Sequence, residues 1–296
     1  MPEILKTKEW EAGYARMETD SGPLRVGYEI LRCAQPKGTV ALLHGSGPGG
    51  SSKGNFSASI AAYAQNFDVL CVDSPGWGRS DSAVVSGSRS HFNAAALKAV
   101  LDALGLQGRI SLVGCSMGAH SACAFTLRYP QHVQSLVLVS GGSGHGQLHD
   151  GGPQPGVKLI QQFYRQPTRE NMQAMVECIF WDQRFVTTAG VNARFEAALG
   201  NPRHLECFIQ SLALNEQPYP DVTAEVSRIE CPVLLVWGRE DRFVPLSLGQ
   251  ALFAAIPRAE MHVFGYCGHS PQAEHTARFN QLTSSFLLAH VEARQA

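Results

Sequence analysis

The residues best suited to chemistry in this 296-residue chain are Gly114-Cys115-Ser116-Met117-Gly118, which follow the apolar run Ile110 to Val113 and precede the helix-compatible stretch AHSACAFTLRYP. In a strand-turn-helix setting, G-x-S-x-G puts a serine on a tight turn in an uncommon backbone conformation, with its hydroxyl exposed. The glycines on either side let strand and helix approach closely. A chance Gly-rich turn is the plain alternative, and the strand before and the helix after argue against it.

A serine hydroxyl is a poor nucleophile until a base takes its proton, and the base needs a carboxylate to fix its tautomer. Asp241, in WGREDRFVP after the run Val233 to Val236, and His269, in YCGHS after Met261 to Phe264, supply both in the chain order Ser, Asp, His. Both fall where loops leave the carboxyl ends of parallel strands, the usual place for α/β active sites. The other histidines fit less well. His262 falls within a strand and His275 is expected in the final helix, while His44, His91, His120, His132, His145, His149, His204 and His290 lack a post-strand loop late in the chain. Among the acids, Glu240 adjoins Asp241, and Asp73 ends an earlier strand.

Attack on a carbonyl also needs donors for the resulting oxyanion, and backbone N–H groups can be aimed there in advance. Met117 N–H is one. The loop His44-Gly-Ser-Gly-Pro-Gly-Gly50 after the run Thr39 to Leu43 is expected to supply the second, from Ser46. That loop lacks both the G-x-x-x-x-G-K-[ST] pattern and the dinucleotide glycine spacing, so a nucleotide site is disfavoured.

These groups need a scaffold. Short apolar runs at Thr39 to Leu43, Val69 to Val72, Ile110 to Val113, Leu136 to Val139, Val233 to Val236 and Met261 to Phe264 suit strands buried on both faces. Helical spacing at Ala96, Leu97, Val100, Leu101 and Leu104, closed by Gly105, and again at Phe279, Leu282, Phe286 and Leu287, alternates with them. The pattern predicts an α/β fold: a mostly parallel central sheet with helices on both faces. The alternating run Leu24 to Leu31 reads as antiparallel edge structure. From about Gly142 to Pro220 the strand runs give way to the connector GGSGHGQLHDGGPQPG and amphipathic stretches. This predicts a core in two parts, 1–145 and 223–296, interrupted by a helical lid at 146–222.

Composition narrows the classes. Lys plus Arg number 24 against 25 Asp plus Glu, a net charge of -1, which implies no basic face for nucleic acid. No apolar run approaches the roughly 20 residues that cross a bilayer. The first twenty residues do not read as a secretory signal, so the cytoplasm is the expected address. Eight cysteines, none in a C-x-x-C pair, read as buried thiols and not as disulfides or metal ligands. Neither a metal nor a cofactor is expected.

Through LLHGSGPGG, DSPGWGRSDS, SGSRS, SMGAHSACAFTL, YRQPTREN, WGREDRFVP and CGH, the chain resembles over nearly its whole length the meta-cleavage product hydrolases. These enzymes have the α/β-hydrolase fold, which the resemblance therefore implies for this chain, and split a carbon-carbon bond in the dienoate products of aromatic ring fission. The resemblance implies a triad of Ser116, Asp241 and His269, an oxyanion hole of Ser46 and Met117, Asn55 beside the dienoate, and Arg194 of NARFEAAL as an anchor for the substrate carboxylate. It also implies a small-molecule carboxylate substrate and a homo-oligomer. Three pocket positions depart from the family pattern: Cys115 stands where Asn precedes the nucleophile, Ser270 where Trp follows the histidine, and Ile179 where a lid phenylalanine aligns. They leave the exact substrate open. An ester, lactone or amide hydrolase with the same triad is the alternative, and a non-catalytic receptor a third; an aspartate-nucleophile dehalogenase is disfavoured by Ser116.

Overall fold

The computed structural model describes residues 9–143, 154–215 and 218–292. Two long strands, β1 (Trp10–Thr19) and β2 (Gly22–Leu31), form an antiparallel hairpin, and β3 (Thr39–Leu43) follows. Short helices α1 (Ser52–Asn55) and α2 (Ile60–Tyr63) lead to β4 (Asp68–Val72), then α3 (Arg89–Ala103), β5 (Ile110–Cys115), α4 (Met117–Arg128) and β6 (Val133–Val139). Four helices come next: α5 (Pro155–Arg165), α6 (Arg169–Ile179), α7 (Thr188–Leu199) and α8 (Pro202–Leu214). The sheet resumes with β7 (Val233–Gly238), followed by α9 (Leu246–Ala255), β8 (Ala259–Phe264), α10 (Pro271–Glu274) and α11 (Thr276–Glu292).

The eight strands form one sheet in the order β1-β2-β4-β3-β5-β6-β7-β8, parallel from β4 to β8. The apolar runs become strands because every residue of β4, β5 and β7 is buried, which rewards β-branched side chains on both faces. One apolar layer includes Leu97, Val100, Leu112 and Phe125; the opposite layer includes Phe56, Val113, Phe279 and Leu287. Each such side chain contributes roughly 1.5–3 kcal/mol by leaving water. A third cluster, with Trp77, Phe163, Tyr164, Met172, Met175 and Phe208, joins α5, α6 and α8 to the core.

Local signals set the helix ends. Ser88, Thr168, Thr187 and Asn201 each accept a bond from a first-turn N–H of the helix they precede. Gly105, at φ +65°, follows the cap of α3 in the left-handed region, as expected for that glycine.

Three expectations are corrected. The run Met261 to Phe264 is a strand but not buried on both faces, because β8 is an edge strand and only Phe264 is buried in it. The run Leu24 to Leu31 is antiparallel but not an edge, because β1 covers its outer side and β4 pairs with its inner side. His275 lies not within the final helix but at the break between α10 and α11, with φ -124°. The expected 145/146 boundary, with His145 and His149, lies outside the described residues. All eight cysteines are free thiols, six of them buried.

Candidate active site

Ser116 sits between β5 and α4 with φ 53° and ψ -118°, a strained conformation for a non-glycine residue. Its surroundings enforce it. A side chain on Gly114 would collide with the Gly118 carbonyl, one on Gly118 with the Leu43 carbonyl, and one on Gly141 with the backbone of Ser116. The turn can therefore be tight only with glycine at these positions, and Ser116 N–H is tied to Val139 O at 2.9 Å. Met117 is the first residue of α4, so its N–H has no acceptor within the helix and stands at the helix's positive end.

Asp241 and His269 meet from the ends of β7 and β8. His269 Nδ1 lies 2.8 Å from Asp241 Oδ2, and Asp241 Oδ1 accepts from Phe243 N–H at 2.8 Å and Val244 N–H at 3.0 Å. Both carboxylate oxygens are thus occupied, and the acid side chain is fully buried. His269 is held twice more: its backbone N–H donates to Ile179 O at 2.8 Å, and the Phe243 ring stacks on its imidazole at 4.7 Å. The competing acids have other tasks. Asp73 accepts from Ser52 and Arg79 N–H, while Glu240 pairs with Arg239 and accepts from Cys267 N–H.

The glycine-rich loop after β3 closes the site. His44 is fully buried; its Nε2 accepts from Ser74 N–H at 2.9 Å, so Nδ1 carries the proton and donates to Gly45 O at 2.7 Å. Burial pulls the imidazole pKa down and keeps it neutral. Asn55 Oδ1 accepts Gly45 N–H at 3.0 Å. Three successive carbonyls are held by other segments: Ser46 O by Tyr164 OH at 3.2 Å, Gly47 O by Trp77 Nε1 at 3.2 Å, and Pro48 O by Arg194 Nε at 3.0 Å.

One cavity of about 460 Å³ gathers these groups. Ser46, Asn55, Cys115, Ser116, Ile179, Arg194, His269 and Ser270 all line it; Met117, next to Ser116 in the chain, does not. Arg194 is part-buried, desolvation lowers its pKa, and it has no carboxylate partner among the described residues. Sequence reasoning missed Gln272, Phe243 and Glu274. Glu274 Oε1 accepts from Gly268 N–H at 2.7 Å and Oε2 from Trp181 and Asp182 N–H at 2.8 Å each, joining the loop before His269 to the end of α6. Only their spacing after His269, on the first turn beyond a strand-end loop, hinted at Gln272 and Glu274.

Tyr164 OH also meets His204 Nε2 at 2.9 Å. Burial, with the Arg89 charge nearby, drives the His204 pKa from 6.5 to about 3. Because the folded state refuses a proton that the unfolded chain accepts, this group's contribution is complete above pH 6.5 and is lost as pH falls towards 3. Its loss runs at about 1.4 kcal/mol per pH unit. Urea unfolding of the wild type at pH 7 and pH 5 should therefore differ by roughly 2 kcal/mol more than the same pair of measurements on His204→Gln.

A mostly parallel sheet, a serine on a strained strand-to-helix turn, and a paired acid and histidine on the following strand ends define the α/β-hydrolase class. The family described as alpha/beta hydrolase fold matches residues 38–276. The 2-hydroxy-6-oxononadienedioate/2-hydroxy-6-oxononatrienedioate hydrolase of Paraburkholderia phymatum is 47% identical over 285 residues, 96% of this chain and 98% of that protein. The protein of the same name from Escherichia coli K12 is 42% identical, over 95% of this chain and 97% of its own. The solved meta-cleavage product hydrolase from Pseudomonas fluorescens IP01 superposes with a TM-score of 0.79 at 27% identity, covering 93% of this chain and 97% of that one. The chain belongs to the meta-cleavage product hydrolases of the α/β-hydrolase family.

Proposed function

We propose that this hydrolase cleaves the carbon-carbon bond of a 2-hydroxy-6-oxo-2,4-dienoate, with water as the only co-substrate. The observation that carries the reading is a part-buried guanidinium, Arg194, with no carboxylate partner among the described residues, in the same cavity as Ser116 and His269. A lone cation in a low-dielectric wall favours an anionic ligand and pairs well with a planar carboxylate. The relatives' names, which specify 2-hydroxy-6-oxo acids, supply the rest.

In this scheme the substrate carboxylate binds Arg194, and the dienol ketonises by moving its hydroxyl proton to C5. Oxygen, from Ser116 or from water activated by His269, adds to the C6 ketone. Ser46 and Met117 N–H groups receive the oxyanion. When the carbonyl re-forms, the C5–C6 bond breaks and its electron pair delocalises through the C3–C4 double bond onto the 2-oxo oxygen. The products are a carboxylic acid and a 2-hydroxydienoate, so substrate plus one water balances. Helices α5 to α8, the described helices of the expected 146–222 lid, exclude bulk water from the cavity, and Asn55, Cys115, Ile179 and Ser270 shape the pocket.

Ester hydrolysis by the same triad is the second reading, motivated by the small polar side chains of Cys115 and Ser270 in the wall. Purified protein and its Ser116→Ala variant, given a coloured dienol ring-fission product and separately simple aryl esters, decide between them. Rapid bleaching of the dienol with slow ester turnover is expected; the reverse would replace the first reading by the second. A cytoplasmic address fits the free thiols, and a homo-oligomer is what sedimentation should detect.

A further inference from the structure

Gln272 is the most deeply buried amide at the cavity, 2% exposed on the first turn of α10, and it lines the same wall as Ser116. One end of its carboxamide meets the Cys115 sulfur at 3.5 Å. The other end has no hydrogen-bond partner. A buried polar atom left unpaired costs about 1–3 kcal/mol, so its persistence beside a nucleophile calls for a partner that arrives with the ligand.

The chemistry of that partner follows from the two ends. A thiol is both a weak donor and a weak acceptor, so the amide can meet Cys115 with either its NH2 or its carbonyl. With the NH2 on sulfur, the free end is a carbonyl that accepts from a hydroxyl. Turned over, the carbonyl takes the S–H and the free end is an NH2 that donates to an oxo oxygen. Burial pushes the Cys115 thiol up to about 12, so the proton needed for the second arrangement stays on sulfur at neutral pH.

We propose that Gln272 is a substrate-positioning residue that hydrogen-bonds the oxygen on the carbon next to the substrate carboxylate, as a hydroxyl in the dienol and as an oxo group after ketonisation. The assignment rests on the carbon-carbon hydrolase reading for the identity of that oxygen. Arg194 then selects a carboxylate and Gln272 selects a 2-oxygenated one, following the general rule that a site built to bond an oxygen rejects the analogue lacking it.

The test uses two small acids that need no turnover, 2-oxopentanoate and pentanoate, titrated into the full-length protein by ligand-detected NMR. Wild type should bind 2-oxopentanoate about tenfold more tightly, the scale of one buried hydrogen bond. In Gln272→Met, which keeps the length and removes the amide, the ratio should fall to near one with pentanoate affinity unchanged. Gln272→Asn, which withdraws the amide by one methylene, should lose the same discrimination and guards against a packing failure in the first variant. A ratio of one in the wild type, a ratio preserved in both variants, or equal weakening of both acids in both variants would overturn the assignment. Dienol turnover by the wild type separately tests the reaction itself, so the two failures are distinguishable.

Discussion

Asp241→Asn should lower kcat by about 10⁴-fold while KM stays within a few-fold, because the change attacks a tautomer and not a binding contact. Both oxygens of Asp241 are acceptors: one for His269 Nδ1, the other for Phe243 and Val244 N–H. An amide cannot fill both roles. With its carbonyl on the backbone pair, its NH2 faces Nδ1 and forces the ring proton onto Nε2, the atom that must take the serine proton. Turned over, it sets NH2 against two N–H donors in a buried site, at a cost of about 1–3 kcal/mol. Steady-state kinetics with an unchanged melting curve would locate the loss in chemistry. Retention of a tenth or more of the wild-type kcat would remove Asp241 from the triad.

That Ser116, Asp241 and His269 could be brought together from sequence while much of the cavity wall could not has a physical reason. Ser116 directly follows β5, and Asp241 and His269 lie in the loops after β7 and β8. Strands β3 to β7 announce themselves because almost wholly buried strands need continuous apolar runs, whereas β8, of which only Phe264 is buried, shows a shorter run. The Ser116 turn is only partly local: Gly114 faces the Gly118 carbonyl within the motif, but Gly118 faces the Leu43 carbonyl and Gly141 faces the Ser116 backbone. β1 escaped notice because WEAGYARMET is half exposed and mixes charge with small residues. It becomes a strand through its pairing with β2 over their full length. Tertiary contacts left still less trace. Nothing near Tyr164 in the sequence says that its hydroxyl reaches Ser46 O, 118 residues earlier. Gln272 reaches Cys115 across 157 residues, a contact that exists only because α10 and β5 converge at the cavity.

The same convergence explains how the helices between β6 and β7 bear on catalysis. Tyr164 of α5 and Arg194 of α7 grip the Ser46 and Pro48 carbonyls of the loop proposed to offer Ser46 N–H, while Ile179 O, at the end of α6, receives His269 N–H. Each of these helices therefore touches both the wall of the cavity and a catalytic segment. A shift of these helices would move the Ser46 loop and His269 together. Preorganisation of this kind matters because a donor displaced by even an ångström stabilises the oxyanion far less.

Arg194→Gln should lower kcat/KM for a dienoate by about 10²-fold or more, and the loss should divide into two parts. Removing one member of a buried charge pair costs about 2–5 kcal/mol, which is the carboxylate part and should appear mainly in KM. The second part comes from the guanidinium's other bond, Nε to Pro48 O at 3.0 Å, which steadies the oxyanion loop and should appear in kcat. The loop is shaped for this contact: a side chain on Gly47 would collide with the guanidinium, and one on Gly49 with the Arg194 carbonyl. Arg194→Lys separates the parts, since an ammonium keeps the charge but lacks the planar fork that serves ligand and loop at once. It should recover much of the KM loss and little of the kcat loss. A neutral aryl ester, blind to the charge, should show only the loop effect in both variants. Full dienoate turnover by Arg194→Gln would leave the cavity without its carboxylate anchor and would direct the search for the substrate towards uncharged carbonyl compounds.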